Sequence, residues 1–237
     1  MNSQTKLTEA QIKEFLHDQF VADQVRDFLE LAGGQGDGVI VDIGGGAGFF
    51  ARALRDQSGI RVRVIDMDPG SIEICRSQGV DGRIGDALEP IAEGDERMVC
   101  FNLILHHLVG ADEAATRTLQ KKALAAWRQR GTPVFVNEYI YQSFLRRVSG
   151  RLIYEITSSR LLSAAARAVA KVVPPLRANT FGTGVRFRSH EEWRELFAEV
   201  GYRVAEHRTG RPETVALPLR LLLIRDIRRD SFLLEPV

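Results

Sequence analysis

The sequence predicts an α/β fold, a doubly wound and mostly parallel sheet of seven strands with helices on both faces. Three features of the chain carry this expectation. Between Val39 and Val136 short apolar runs alternate with amphipathic ones, the rhythm of βαβ units. The first run, Val39-Ile40-Val41-Asp42-Ile43, passes into the glycine-rich turn Gly44-Gly45-Gly46-Ala47-Gly48 and then into a helix from Phe49. The 237 residues are 44% hydrophobic, enough to bury one sizeable core, and this length favours one large domain over two small ones.

Near the start, residues Thr8 to Leu31 place Ile12, Phe15, Leu16, Phe20, Val25, Phe28 and Leu29 at spacings of amphipathic helix. A glycine-rich joint from Gly33 to Gly38 ends it. Residues 1–37 are therefore expected to form a helical lid, and 38–141 the ligand-binding core. Strands are expected at Val39–Ile43, Arg61–Ile65, Val80–Ile84, Met98–Leu105 and from Pro133. Pro69 suits the first turn of a helix, with Asp68 as its N-cap, and Asp112 to Gln129 reads as another helix. After Tyr141 the rhythm changes. Gly150 to Val173 reads as one helix, ended by Pro174-Pro175. Residues 142–184 are then a helical insert, too long for an ordinary connection. Residues 185–237 return to the core: Ser189 and Glu192 form a capping box, and Tyr202–Ala205 and Leu219–Ile224 read as strands.

Composition narrows the function. A net charge of +1 argues against a nucleic-acid binder held by bulk charge. The charge is uneven, however. From Ser143 onward there are 17 Lys/Arg and 10 Asp/Glu, against 15 and 21 before it. Solvated helix faces account for this, and so does attraction of an anionic substrate. Cys75 and Cys100 lack a C-x-x-C partner, so neither a metal site nor a disulfide framework is expected. The polar start, Met1 to Thr8, shows no signal peptide, and no apolar window is long enough to span a membrane. A cytoplasmic protein without stable membrane insertion is expected. The basic stretch Arg160 to Val173 could face the sheet, a membrane surface or a partner in a homodimer.

The glycine turn names the ligand class. Its spacing is G-x-G-x-G through Gly44, Gly46 and Gly48, and the third glycine of a dinucleotide fingerprint would fall at Phe49. Such a turn is not tuned for a pyrophosphate. The preceding Asp42 suits a cationic or amine-bearing ligand, or simply caps the next helix. From Val39 to Val136 the chain resembles the class I S-adenosylmethionine-dependent methyltransferases, whose first motif is D-x-G-x-G-x-G, on a Rossmann-like sheet. The resemblance implies S-adenosyl-L-methionine as cofactor. It implies that Gly44, Gly45 and Gly46 let the backbone approach the methionine part, and that Asp42 anchors the turn or meets the amine. Asp66, ending the second strand, would accept from the ribose diol. Met67 would cover the adenine, and Asp86, beside Ala87, would accept from its amino group, although Gly85-Asp86 also reads as a plain turn. Asn102 and Leu103 would bring backbone to the transferring methyl.

The residues beyond the fourth strand bear on the methyl acceptor. His106 and His107 come directly after that strand, in an L-H-H-L run that the family also carries. They are structural histidines, or one is a base, and His107 is then the choice. Glu138 is the next candidate, as base or orienting acceptor. Tyr139 and Tyr141 can wall the pocket, where aromatic faces favour a sulfonium. Tyr154, Arg177, Arg186 and Arg188 could clamp an acidic group, with Arg186 the one to keep. The favoured reading is a small-molecule methyltransferase directed to oxygen, with N- or C-methylation open. A cofactor-binding protein without turnover and a nicotinamide-dependent oxidoreductase are the rivals. No Asn/Asp-Pro-Pro-Tyr/Phe run or appended basic module points to nucleic acid.

Overall fold

The structure, a computed structural model, describes residues 20–33, 37–178 and 180–237. Helix α1 (Val21–Ala32) leads into strand β1 (Val39–Ile43), α2 (Phe49–Ser58), β2 (Val62–Asp66), α3 (Pro69–Ser77), β3 (Asp81–Ile84) and β4 (Glu96–Asn102). A single 3₁₀ turn (Leu105–His107) precedes α4 (Glu113–Arg128) and β5 (Val134–Ser143). The insert holds α5 (Val148–Ser158), α6 (Arg160–Val172) and a 3₁₀ turn (Pro174–Leu176). Then follow α7 (His190–Val200), β6 (Tyr202–Arg208), α8 (Leu217–Arg220) and β7 (Ile224–Pro236).

The seven strands form one sheet in the order β3-β2-β1-β4-β5-β7-β6. The first five strands are parallel, and β7 runs antiparallel to both β5 and β6. Because β1 has β2 on one side and β4 on the other, the chain reverses its winding there. The strand tops diverge at that point, which is where such sheets bind ligands. Helices cover both faces. Val25, Phe28, Phe50, Leu54 and Ile72, from α1, α2 and α3, pack on one. Leu119, Trp127, Trp193 and Phe197, from α4 and α7, pack on the other.

Local signals act where the sequence places them. Asp68 accepts from the Ser71 amide at 2.7 Å, with Pro69 in the first turn of α3. The capping box of Ser189 and Glu192 opens α7. Two expectations are corrected. The single helix from Gly150 to Val173 is broken at Ser159, whose backbone is extended (φ −77°, ψ 127°) and whose hydroxyl caps α6. Three successive hydroxyl residues, Thr157 to Ser159, compete there for backbone partners. The apolar run Leu219–Ile224 is not a strand. Pro218 starts the short α8 instead, and the strand begins at Ile224. Its first half is rich in charge, which hid it. Its Asp230 is fully buried and takes hydrogen bonds from Arg228, the Gly210 amide and His190.

The described part of the expected lid is tied into the core. Val25 and Phe28 are fully buried, and Phe28 meets Phe50 and Phe135 edge-on, with centroids 5.9 and 5.3 Å apart. A polar chain fixes the same helix. Gln24 donates to Asn137 (3.4 Å), Asn137 to Ser231 (2.8 Å), and Ser231 to Asp27 (2.9 Å). Residues Ile12, Phe15 and Leu16, and Gly34 to Gly36 of the expected joint, lie outside the described residues. Phe28→Ala should lower the free energy of unfolding by about 3–5 kcal/mol, measured by urea denaturation. A helix that swings off the sheet as a flap would lose under about 1 kcal/mol.

Candidate active site

The site is built on the carboxyl ends of the parallel strands. Asp42, one residue before the end of β1, is 1% exposed. One carboxylate oxygen accepts from Asn102 Nδ2 at 3.0 Å, across to the end of β4. Burial, opposed by that hydrogen bond and reinforced by the charge of Asp66, pushes its carboxyl up to about 7. Its other oxygen, and the side-chain oxygen of Asn102, are buried without a hydrogen-bond partner among the described residues. Two orphaned acceptors side by side call for a donor-bearing, cationic group.

Above them lies the glycine turn. A Cβ at Gly45 would stand 2.2 Å from the Asp42 carboxylate, so glycine there lets the turn sit directly on the buried acid. Gly46 has φ +53° and open space on the side where a Cβ would point, so a ligand can approach its backbone. Asp66 ties this turn to β2. It accepts from the Gly46 amide at 3.0 Å and from the Asp68 amide at 2.9 Å. Each oxygen keeps a second lone pair for a ligand hydroxyl, and burial raises its pKa. Met67 is half-buried beside it. Asp86 accepts from the Leu88 amide at 2.8 Å, as a plain turn requires, with Ala87 half-buried between them. Leu103 adopts φ +56°, a left-handed conformation costly for a leucine. Its amide is fixed by the Asn137 carbonyl at 2.8 Å. The residues Asp42, Gly44 to Gly46, Asp66, Met67, Asp86, Asn102 and Leu103 thus lie at or just beyond the carboxyl ends of β1 to β4.

The histidine turn follows directly on β4. Glu138, fully buried on β5, accepts from the Leu105 amide at 2.7 Å and meets His106 Nδ1 at 2.6 Å. A carboxylate there places the Nδ1 proton toward Glu138 and leaves Nε2 as the basic nitrogen. The carboxylate therefore meets His106, whereas the sequence reading takes His107 as the choice if either histidine is a base. His107 lies against His106, with ring centroids 4.2 Å apart and planes tilted by 41°, and desolvation holds its pKa well below the ordinary value. From the other side, Gln120 donates to the Leu105 carbonyl at 3.0 Å and accepts from Arg188 Nε at 2.8 Å. Gln120 carries no sequence motif, and only the fold reveals it.

Tyr139 and Tyr141 stand beside this turn. Tyr141 is stacked flat on Phe187 (4.1 Å, 8°), and Tyr139 meets His106, Phe187 and Phe20 edge-on. Phe187 and Phe20 complete an aromatic wall that sequence reasoning missed, although apolar alternation around Arg186 hinted at the first. Arg229 lies over the Phe20 ring at 3.7 Å and braces the wall. Arg186 is not brought to the crevice. It is fully buried and its guanidinium is engaged by Glu113 (2.6 Å), Glu192 (2.8 Å) and the Phe187 carbonyl. Tyr154 is likewise buried, donating to the Gly110 carbonyl at 2.9 Å. Arg188 shares the same internal network, and Arg177 is exposed on the insert.

Cys75 and Cys100 are buried free thiols. Among the described residues no helix is long and apolar enough to cross a membrane, and no cluster suits a metal ion.

Residues 41–128 match the family model of a methyltransferase domain. No curated protein sequence matches the chain. Solved structures do. A Thermotoga maritima protein, described as an S-adenosylmethionine-dependent methyltransferase and possible histamine N-methyltransferase, is 19% identical, with 96% of this chain and 97% of that one covered at TM-score 0.56. Magnesium protoporphyrin IX methyltransferase from Synechocystis, solved with S-adenosylhomocysteine, is 13% identical, with 98% and 90% covered at TM-score 0.55. Mitomycin 7-O-methyltransferase is 16% identical, with 92% and 54% covered at TM-score 0.54. At these identities the likeness is one of fold. Residues 41–128 thus carry a methyltransferase domain, and the strand order is that of the fold these S-adenosylmethionine-dependent methyltransferases share.

Proposed function

We propose that the enzyme methylates an oxygen nucleophile of a small-molecule acceptor, with His106 as the base that receives the acceptor's proton. The observation that carries this reading is the 2.6 Å contact between His106 Nδ1 and the buried Glu138 carboxylate. S-adenosylmethionine, when bound, supplies an electrophilic methyl group on a sulfonium. Asp42 and Asn102 would hold its amino end, for which their orphaned oxygens are suited. Asp66 would hold the ribose, Met67 and Asp86 with Ala87 the adenine, and the backbone of Gly44 to Gly46 and of Leu103 would lie along it.

The acceptor oxygen gives its proton to His106 Nε2. Glu138 then faces an imidazolium and stabilises it without itself being protonated. Glu138 is a positioning residue in this reading. His107, kept neutral by its dry surroundings, packs against the base without competing for the proton as a cation. Tyr139, Tyr141, Phe187 and Phe20 exclude water and present flat faces to an apolar acceptor. In-line geometry and a dry pocket supply much of the acceleration in such a displacement.

Three outcomes are expected. His106→Ala should lower kcat by about 10²–10³-fold with S-adenosylmethionine affinity nearly unchanged, measured by turnover and calorimetry. An unaltered kcat would assign the pair a structural role and favour an acceptor, such as a free amine, that needs no base. Asp66→Ala should weaken S-adenosylmethionine binding by about tenfold or more, and equal affinity would move the ribose elsewhere. Asp42 gives a pH dependence. Its folded pKa of about 7 lies above the ordinary value of 3.8, so the native state holds the proton more tightly than the unfolded one. The ligand-free protein should therefore lose stability as pH rises from about 4 to about 7, levelling above that. S-adenosylmethionine, whose ammonium prefers the carboxylate, should bind up to about tenfold more tightly at about pH 8 than at about pH 6. Asp42→Asn should flatten both profiles.

A further inference from the structure

We propose that the outer face of α6, with the neighbouring α8, is a docking surface for a membrane bearing anionic lipid. This surface is independent of the methyl acceptor. Helix α6 is built the reverse of an ordinary surface helix. The residues it buries are small, Ser163 and Ala170, one above the other at a spacing of seven. Its large apolar residues point outward. Leu161 and Val172 are 84% and 82% exposed, and Leu162 and Val169 about half exposed. Leu161, Ala165, Ala168 and Val172 follow helical spacing and make one continuous apolar stripe. Arg160, Arg167 and Lys171 fall on a single line beside it, and no acidic residue occurs from Ile156 to His190.

The patch continues beyond the helix. The 3₁₀ turn Pro174–Leu176 leads from α6 to α8, against which it packs. There Leu217 and Leu221 are 78% and 82% exposed, with the exposed Arg220 between them. Arg220 lies over the ring of the exposed Phe144 at 6.0 Å. Exposed leucines interleaved with arginine and lysine, with no acid among them, describe an interfacial helix, lying in the headgroup layer with its apolar face down.

Charge decides between occupants. A second copy meeting α6 antiparallel about a twofold axis would bring one line of Arg160, Arg167 and Lys171 against its equivalent, cation against cation. An anionic bilayer offers both the apolar layer and the opposite charge.

The full chain is tested by sedimentation with vesicles of phosphatidylcholine alone and of phosphatidylcholine with about 30% phosphatidylglycerol. Binding to the anionic vesicles, weakened by salt, is expected. The double variant L161E/V172E should bind about tenfold or more weakly, and so should R160E/K171E, each keeping wild-type affinity for S-adenosylmethionine as evidence of an intact fold. Failure to sediment with either vesicle would overturn the proposal, as would unchanged binding of L161E/V172E. A concentration-dependent dimer that this variant abolishes, without vesicle binding, would assign the face to a second copy instead.

Discussion

The site depends on one hydrogen bond, from Asn102 Nδ2 to the buried carboxylate of Asp42. It joins the ends of β1 and β4 where the sheet reverses its winding, and so bridges the two halves of the crevice floor. Among the described residues Asp42 forms no ion pair. Burying its charge is unfavourable, and the carboxyl responds by holding its proton to about 7. The unsatisfied oxygens of Asp42 and Asn102 are a standing demand for donors. The Gly45 backbone, pressed onto the acid because no Cβ intervenes, aims the turn at the same place.

The opposite wall of the crevice is held from outside. The turn Leu105–His107 is gripped at the Leu105 amide by Glu138 and at the Leu105 carbonyl by Gln120, while Arg186 donates its amide to the His106 carbonyl at 2.9 Å. Gln120 in turn is set by Arg188. The imidazole is thereby fixed by groups on α4, β5 and the segment before α7. Such support resists rotation of the imidazole. It also explains the strained Leu103. The chain must leave β4 sharply enough to deliver Leu105 to Glu138, and the left-handed residue makes that bend.

The ends of the first strands were legible because their signals are local. Asp42, the glycines, Asp66 and Asp68 each act through backbone geometry within a few residues, and strand alternation puts them at the same edge of the sheet. The surroundings of the histidine turn were not, because their contacts span long sequence distances. Assigning a carboxylate to His106 and not His107 needed the position of Glu138, 32 residues away. Arg186 had the local look of a substrate clamp, an arginine among apolar neighbours after a loop. Its partner Glu113 lies 73 residues earlier, beyond any reading of spacing. Strand β7 failed for a related reason. A run such as Arg228-Arg229-Asp230 reads as surface until the fold supplies His190 and the Gly210 amide to Asp230.

The same long-range pairing explains where the charge surplus after Ser143 resides. Buried cations of that half are matched. Arg186 and Arg188 meet Glu113, from the acidic first half, and Glu192 from their own. On β7, Arg228 meets Asp230. Removing either member of such a buried pair strands a charge, so these arginines are committed to the fold. The surplus therefore collects on the insert. There Arg146, Arg151, Arg160, Lys171 and Arg177 are exposed on a stretch whose acids are few. Solvated helix faces and attraction of an anionic partner stand as alternatives in the sequence. On the insert they are one surface, since its cations lie beside leucines that water covers poorly.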